Sequence, residues 1–128
     1  NNYDYLYMLV RKENILVQKS EAFTDRIIRM AAYLRHKGAD NNILKQIFRS
    51  GTSIGANVCE SKYAQSRADF VHKLSIALKE ANETDYWLRK LYTAKSLTDT
   101  EYNSMNNDAE EIIKILVAII NTTKRNGL

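Results

Sequence analysis

Proline is absent from this chain of 128 residues, and glycine occurs only four times. Proline and glycine punctuate a chain into turns, so a sequence this poor in both has little means of reversing direction every few residues. Small β-sandwiches need frequent turns; long helices do not. A mass of 14.8 kDa suits one domain. With 45% hydrophobic and 27% charged residues the chain can fill a core and stay soluble, which excludes an intrinsically disordered segment. The expectation is a single all-α domain.

Apolar spacing and capping residues predict four helices, over residues 14–37, 41–64, 67–95 and 99–125. In the first, Leu16, Phe23, Ile27, Met30 and Leu34 follow steps of 7, 4, 3 and 4, which place them on one face. Gly38 follows as the stop residue. Asp40 or Asn41 caps the second, whose stripe is Ile43, Ile47, Ile54 and Val58. Ser66 caps the third, with Asp69 three residues on, and its stripe is Phe70, Leu74, Ala77, Leu78, Ala81, Leu88 and Tyr92. Thr98 to Glu101 reads as a full capping box for the fourth, whose stripe is Met105, Ala109, Ile112, Leu116, Ile119 and Ile120. Short connections force neighbours antiparallel, giving an up-down-up-down four-helix bundle over residues 14–128. Residues 1–13 differ: Tyr3, Tyr5 and Tyr7 alternate with Asp4 and Leu6. That period of two suggests either a partly extended N-terminal arm, packed across the bundle or a neighbouring subunit, or a frayed terminus.

Two helices carry apolar residues off their core stripes. From Ile112 to Ile120 only Lys114 is polar, and Ile115 and Val117 point away from the stripe. On the third helix Ile76, Glu80, Glu83 and Trp87 fall at steps of 4, 3 and 4, roughly opposite Leu74. A Trp and an Ile on that face suggest a contact surface between subunits. These six residues are the candidate interface.

The net charge is +4, with a pI near 9.2. Residues 1–65 hold 10 basic and 6 acidic side chains, and the remainder 9 of each, so the excess lies wholly in the first half. Lys19, Arg26, Arg29, Tyr33 and Lys37 group along one flank of the first helix, and Lys45, Arg49 and Lys62 follow on the second. Cations with an aromatic among them suit phosphate neutralisation and base stacking, so this is the candidate nucleic-acid surface.

No enzymatic chemistry is legible. Gly51 and Gly55, inside Arg49-Ser50-Gly51-Thr52-Ser53-Ile54-Gly55-Ala56-Asn57, lack the Lys-Ser/Thr of a phosphate-binding loop and the preceding strand of a dinucleotide fingerprint. Their spacing of four puts both on one helix face, where they serve close helix packing. A di-iron bundle needs two Glu-x-x-His pairs; Asp69-x-x-His72 is the sole similar spacing, and the chain has only two histidines. His72 therefore reads as a surface residue, Cys59 as a small buried hydrophobe, and Asp85 as a carboxylate buried on the core face, partnered by Arg49 or Asn57. No catalytic, cofactor-binding or metal-binding residue is expected, and no cofactor. A lone cysteine suits a reducing, cytoplasmic setting. Asn1-Asn2-Tyr3-Asp4 does not resemble a secretory signal, and no apolar run approaches a membrane span. The chain opens on Asn1 rather than Met, which leaves open a preceding segment.

Lys19-Ser20-x-x-Phe23, then residues 49–57 above, then Asp69-Phe70-x-x-Lys73-Leu74-x-Ile76-Ala77-Leu78-Lys79-Glu80-Ala81-x-Glu83-Thr84-x-Tyr86-Trp87-Leu88 resemble the four-helix-bundle proteins encoded in 23S rRNA intervening sequences. That family is similar to the accessory variability determinant of diversity-generating retroelements. The resemblance spans roughly residues 14–125. It implies a homo-pentameric barrel of up-down bundles, a basic surface that contacts RNA or DNA, no enzymatic activity, and for the retroelement members a reverse transcriptase as partner. The expected function is thus a non-enzymatic, homo-oligomeric accessory protein that binds RNA or DNA. A protein–protein scaffold without nucleic-acid binding is the alternative.

Overall fold

Each predicted capping residue holds the turn that follows it. Asp40 Oδ1 accepts from the backbone N–H of Asn42 and of Ile43 at 2.8 and 3.2 Å. Ser66 Oγ accepts from the N–H of Asp69 at 3.0 Å, and Asp69 returns the contact to the N–H of Gln65. Thr98 Oγ1 and Glu101 Oε1 each accept from the other's backbone N–H, a reciprocal box. These caps open three of the four helices: α1 (Asn2–His36), α2 (Asn41–Ser61), α3 (Arg67–Thr93) and α4 (Asp99–Asn126). The structure, a computed structural model, describes residues 2–126, except for the side chains of residues 2, 5 and 126.

Connections of four or five residues reverse the chain between successive helices. Each helix packs on its neighbours in the cycle α1–α2–α3–α4, with α4 closing against α1. The result is an up-down-up-down antiparallel four-helix bundle. The core is the union of the four predicted stripes, with Phe23, Ile27, Leu44, Ile54, Leu74, Leu88, Ile112 and Leu116 all fully buried. Met30, Ile43, Phe70 and Leu78 are half-buried at its margin. Leu91 and Leu97 join it, while Tyr92 turns outward, stacks on Tyr102 at 4.6 Å and donates to Asp99 Oδ1 at 2.6 Å.

The N-terminal reading needs correcting. Residues 2–13 are helical and continue α1 without a break, because no residue before Gly38 interrupts the helix. The alternating tyrosines do not make a strand. Tyr3 and Tyr7 are exposed, Leu9 packs against the core, and the Tyr5 side chain lies outside the described residues. At 35 residues α1 is about 52 Å long, against about 31 Å for the 21 residues of α2. Its first turns therefore overhang the bundle.

Two helices stop in the same way at the same end of the bundle. After α1, Gly38 takes a φ of 86°, with Gly38 N donating to Arg35 O and Ala39 N to Leu34 O. After α3, Lys95 takes a φ of 62°, with Lys95 N donating to Tyr92 O and Ser96 N to Leu91 O. Glycine adopts this left-handed conformation freely, whereas a lysine gives up about 1–2 kcal/mol. Lys95 also explains why α3 ends at Thr93, two residues before the predicted stop.

Candidate nucleic-acid interface

The sequence-predicted cations of α1 divide by height along the helix rather than forming one uniform stripe. In the upper half, Lys19 Nζ meets Glu111 of α4 at 2.6 Å. Arg26 meets Asp108 at 2.6 Å and also donates to Ser104 Oγ at 3.0 Å. Both cations are neutralised within the chain. Lower down the situation changes. Arg29, Arg35, Lys37, Lys45, Lys90 and Lys95 are exposed, and among the described residues none has an ion pair.

The antiparallel topology collects these six at one end, where α1 and α3 stop and α2 and α4 start. The carboxylates interspersed there are already engaged: Asp40 caps α2, Glu101 closes the capping box and Asp99 accepts from Tyr92. That bond, together with the Asp99 charge, holds the Tyr92 phenol above its ordinary range. Tyr33 lies among the cations, 49% exposed, with Lys37 Nζ 5.5 Å from its ring centre. Lys90 similarly approaches Tyr86 at 5.0 Å. Lys62, at the other end of α2, is exposed and stands apart.

The candidate interface residues sit differently from the sequence reading. Ile76, Glu80, Glu83 and Trp87 occupy the seam between α2 and α3, all partly buried by their own chain. Trp87 packs against the core and donates through Nε1 to Glu83 Oε2 at 3.1 Å, so it is no free-standing anchor. Arg49 reaches Glu83 at 3.5 Å within the same chain. Glu80 Oε2 is buried and, among the described residues, has no hydrogen-bond partner. On α4, Ile115 is partly buried against the core and Val117 remains 38% exposed. Five exposed apolar side chains, Tyr3, Leu6, Tyr7, Met8 and Val10, lie close together on the overhang of α1, which residue patterning did not single out as helical.

Gly51 and Gly55 play the packing role predicted for them. A Cβ at Gly51 would come within 2.8–2.9 Å of three Ile27 side-chain carbons, and one at Gly55 would run into Thr24 Oγ1. The neighbouring Ser50 forms a fully buried hydroxyl pair with Thr84 across α2 and α3, at 2.9 Å, which the sequence reading missed. Asp85, expected in that place, is only partly buried at the edge of the core and pairs with Arg89 at 2.7 Å, one helical turn on; the buried position is one residue earlier. Cys59 is exposed rather than buried, and His72 is exposed as expected. Among the described residues, no three His, Cys, Asp or Glu side chains converge as a metal site would require.

The motif that runs from Lys19 to Leu88 belongs to more than this chain. Residues 12–118 match the sequence model described as 23S rRNA-intervening sequence protein. The chain belongs to the 23S rRNA-intervening sequence protein family. The match takes in all the candidate residues and leaves the first turns of α1 outside it. A solved structure of a protein with unknown function from the S23 ribosomal protein family of Bacteroides thetaiotaomicron is 50% identical. It superimposes with a TM-score of 0.84, covering 86% of this chain and 98% of the other. No curated protein matches this chain at a significant level. Family membership thus carries the four-helix bundle with it, in a family whose solved neighbour has no established function. Among the described residues no helix is long and apolar enough to cross a membrane.

Proposed function

We propose that this member of the 23S rRNA-intervening sequence protein family is a non-enzymatic accessory protein that binds RNA or DNA through the basic end of its bundle. The observation that carries the reading is the gathering of Arg29, Arg35, Lys37, Lys45, Lys90 and Lys95, all exposed and without an ion pair among the described residues, at one end of the bundle, with Arg29, Lys37 and Lys95 beside Tyr33. Phosphate binding exchanges condensed counterions for such side chains, and an aromatic among them offers a stacking face. Lys19 and Arg26 leave the contact set, since Glu111 and Asp108 already occupy them; Arg49, shared with Glu83, contributes less than its exposure suggests. A partner protein such as a reverse transcriptase belongs to the same reading.

The protein acts in this reading as a homo-oligomer, of which the family resemblance suggests a pentamer. Ile76 and Trp87, only partly buried at the seam between α2 and α3, keep apolar surface that a neighbouring subunit would cover. If so, the solution mass is a multiple of 14.8 kDa, and Trp87→Ala, at the same seam, lowers it; light scattering of both proteins checks this.

The nucleic-acid reading is tested by fluorescence-anisotropy titration of labelled single- and double-stranded RNA and DNA over a range of salt. The expected result is affinity falling linearly on a log–log plot, with a slope that diminishes when Arg29 and Lys37 are both changed to Glu. Absence of binding at low salt would defeat it. The second reading, a protein scaffold, is favoured by the exposed Tyr3, Leu6, Tyr7, Met8 and Val10 on α1, and it expects no salt-dependent affinity at all.

A further inference from the structure

Between α1, the 37–40 connection and the start of α4 run two clefts, of about 280 and 350 Å³. They share Tyr33 and Glu101, so they form one groove with Tyr33 at its middle. Each cleft is of the size of a small-molecule subsite, for which roughly 300–1,000 Å³ is usual. Arg29 lines the groove on one side of Tyr33, and Lys37 and Lys95 line it on the other. Met30 and Met105 supply an apolar wall next to the ring on the Arg29 side. The groove therefore has an aromatic face flanked on both sides by cations, with the Glu101 carboxylate beside the ring engaged by the Thr98 N–H at 2.9 Å.

In a single nucleic-acid strand each base has a phosphate on its 5′ side and another on its 3′ side. A paired base, stacked inside a duplex, cannot be laid on a protein aromatic. We propose that the groove takes one unpaired nucleotide, its base against Tyr33, one flanking phosphate at Arg29 and the other at Lys37 and Lys95. This rests on the nucleic-acid reading and narrows it to single-stranded or splayed-out segments. Lys95 adds an independent argument. It sits in the left-handed backbone position that Gly38 fills at the matching stop of α1, and its side chain lines the groove. A strained lysine where glycine is the easy choice is accounted for if the ammonium does work there.

Two titrations test this. The first compares a labelled single-stranded 12-nucleotide RNA with its duplex, for the unaltered protein, Tyr33→Ala, Tyr33→Phe and Lys95→Gly. Stacking on one aromatic predicts a loss on the order of ten-fold for Tyr33→Ala on the single strand. Duplex affinity should stay within about two-fold, and Tyr33→Phe should restore the single-strand value. Lys95→Gly should melt a few degrees higher yet bind the single strand more weakly, a split that a purely structural role would not produce. Equal weakening of both RNAs by Tyr33→Ala, or none, overturns the groove while leaving the basic end intact as a phosphate surface. The second is calorimetry with adenosine 3′,5′-bisphosphate, AMP and adenosine. Affinity should fall in that order and vanish in Tyr33→Ala. Should both RNAs fail to bind, the wider reading falls, and the calorimetry alone decides the groove: no heat at millimolar bisphosphate overturns it.

Discussion

The two flanks of α1 are made by opposite physics. On the α2 side the helices meet dry: Ile27 fills the space over Gly51, and Thr24 lies against Gly55. On the α4 side they meet through charges at 2.6 Å, Lys19 with Glu111 and Arg26 with Asp108, and below these the surfaces part into the groove around Tyr33. Removing Cβ atoms at two positions lets one pair of helices close. Long polar side chains hold the other pair at arm's length and leave space between them. The contrast teaches where each kind of work is done on α1: close packing is concentrated where it touches glycine, and the groove opens where it does not.

The largest expected effect is on the dry side. Ile27→Ala, at a fully buried position, should cost about 2–5 kcal/mol in denaturant unfolding. Gly51→Ala should cost about 1–3 kcal/mol by overpacking against Ile27. The double variant should lose less than the sum, because Ala at position 27 vacates the space the new methyl needs; strict additivity would break the comparison. On the charged side, Arg26→Ala should cost less than about 1 kcal/mol, since both partners are roughly a third or more exposed. That cost should shrink as salt is added, while the Gly51 effect should not. A loss at Arg26 as large as that at Gly51 would erase the distinction. The smallest effect concerns Glu13, high on α1, whose carboxyl is pushed above its ordinary value of 4.5 by burial. Its charged form is disfavoured by folding, so its contribution is most favourable below the ordinary carboxylate range and is lost as pH rises through the raised value. Glu13→Gln should therefore stabilise slightly at pH 7 and make no difference at pH 3, as melting curves at the two pH values would show.

Much of the dry side was legible in sequence, and little of the charged side. A core stripe is a property of one helix read along itself, so Phe23, Ile27, Ile54, Leu74 and Ile112 declared themselves by spacing. The two glycines announced a close approach because nothing else justifies them inside a helix. Arg26 and Asp108 lie 82 residues apart, and nothing local says that they meet. That is why the basic stripe read as continuous when half of it is neutralised. Asp85 shows the limit of phase. Eleven residues on from Leu74, a small error in turn per residue moves a side chain from the core to its margin, and Thr84 takes the inward place. Cys59 was assigned by its usual habit rather than its angle. The overhang of α1 was misread because alternating tyrosines imitate a strand when their neighbours are ignored.

That overhang makes the boundary of the cooperative unit fall inside a helix rather than at a loop. From Leu16 onward α1 is pinned at every turn, but from Tyr3 to Met8 every side chain in the description is exposed. A helix of so few residues has scant stability of its own in water. Backbone amides there should exchange with solvent deuterium through fraying that costs almost nothing, whereas those beyond Leu16 should wait for the whole bundle to open. One unbroken rod of backbone hydrogen bonds would then span nearly the full range of protection the protein possesses, and the steepest step in it would mark where the folded domain begins.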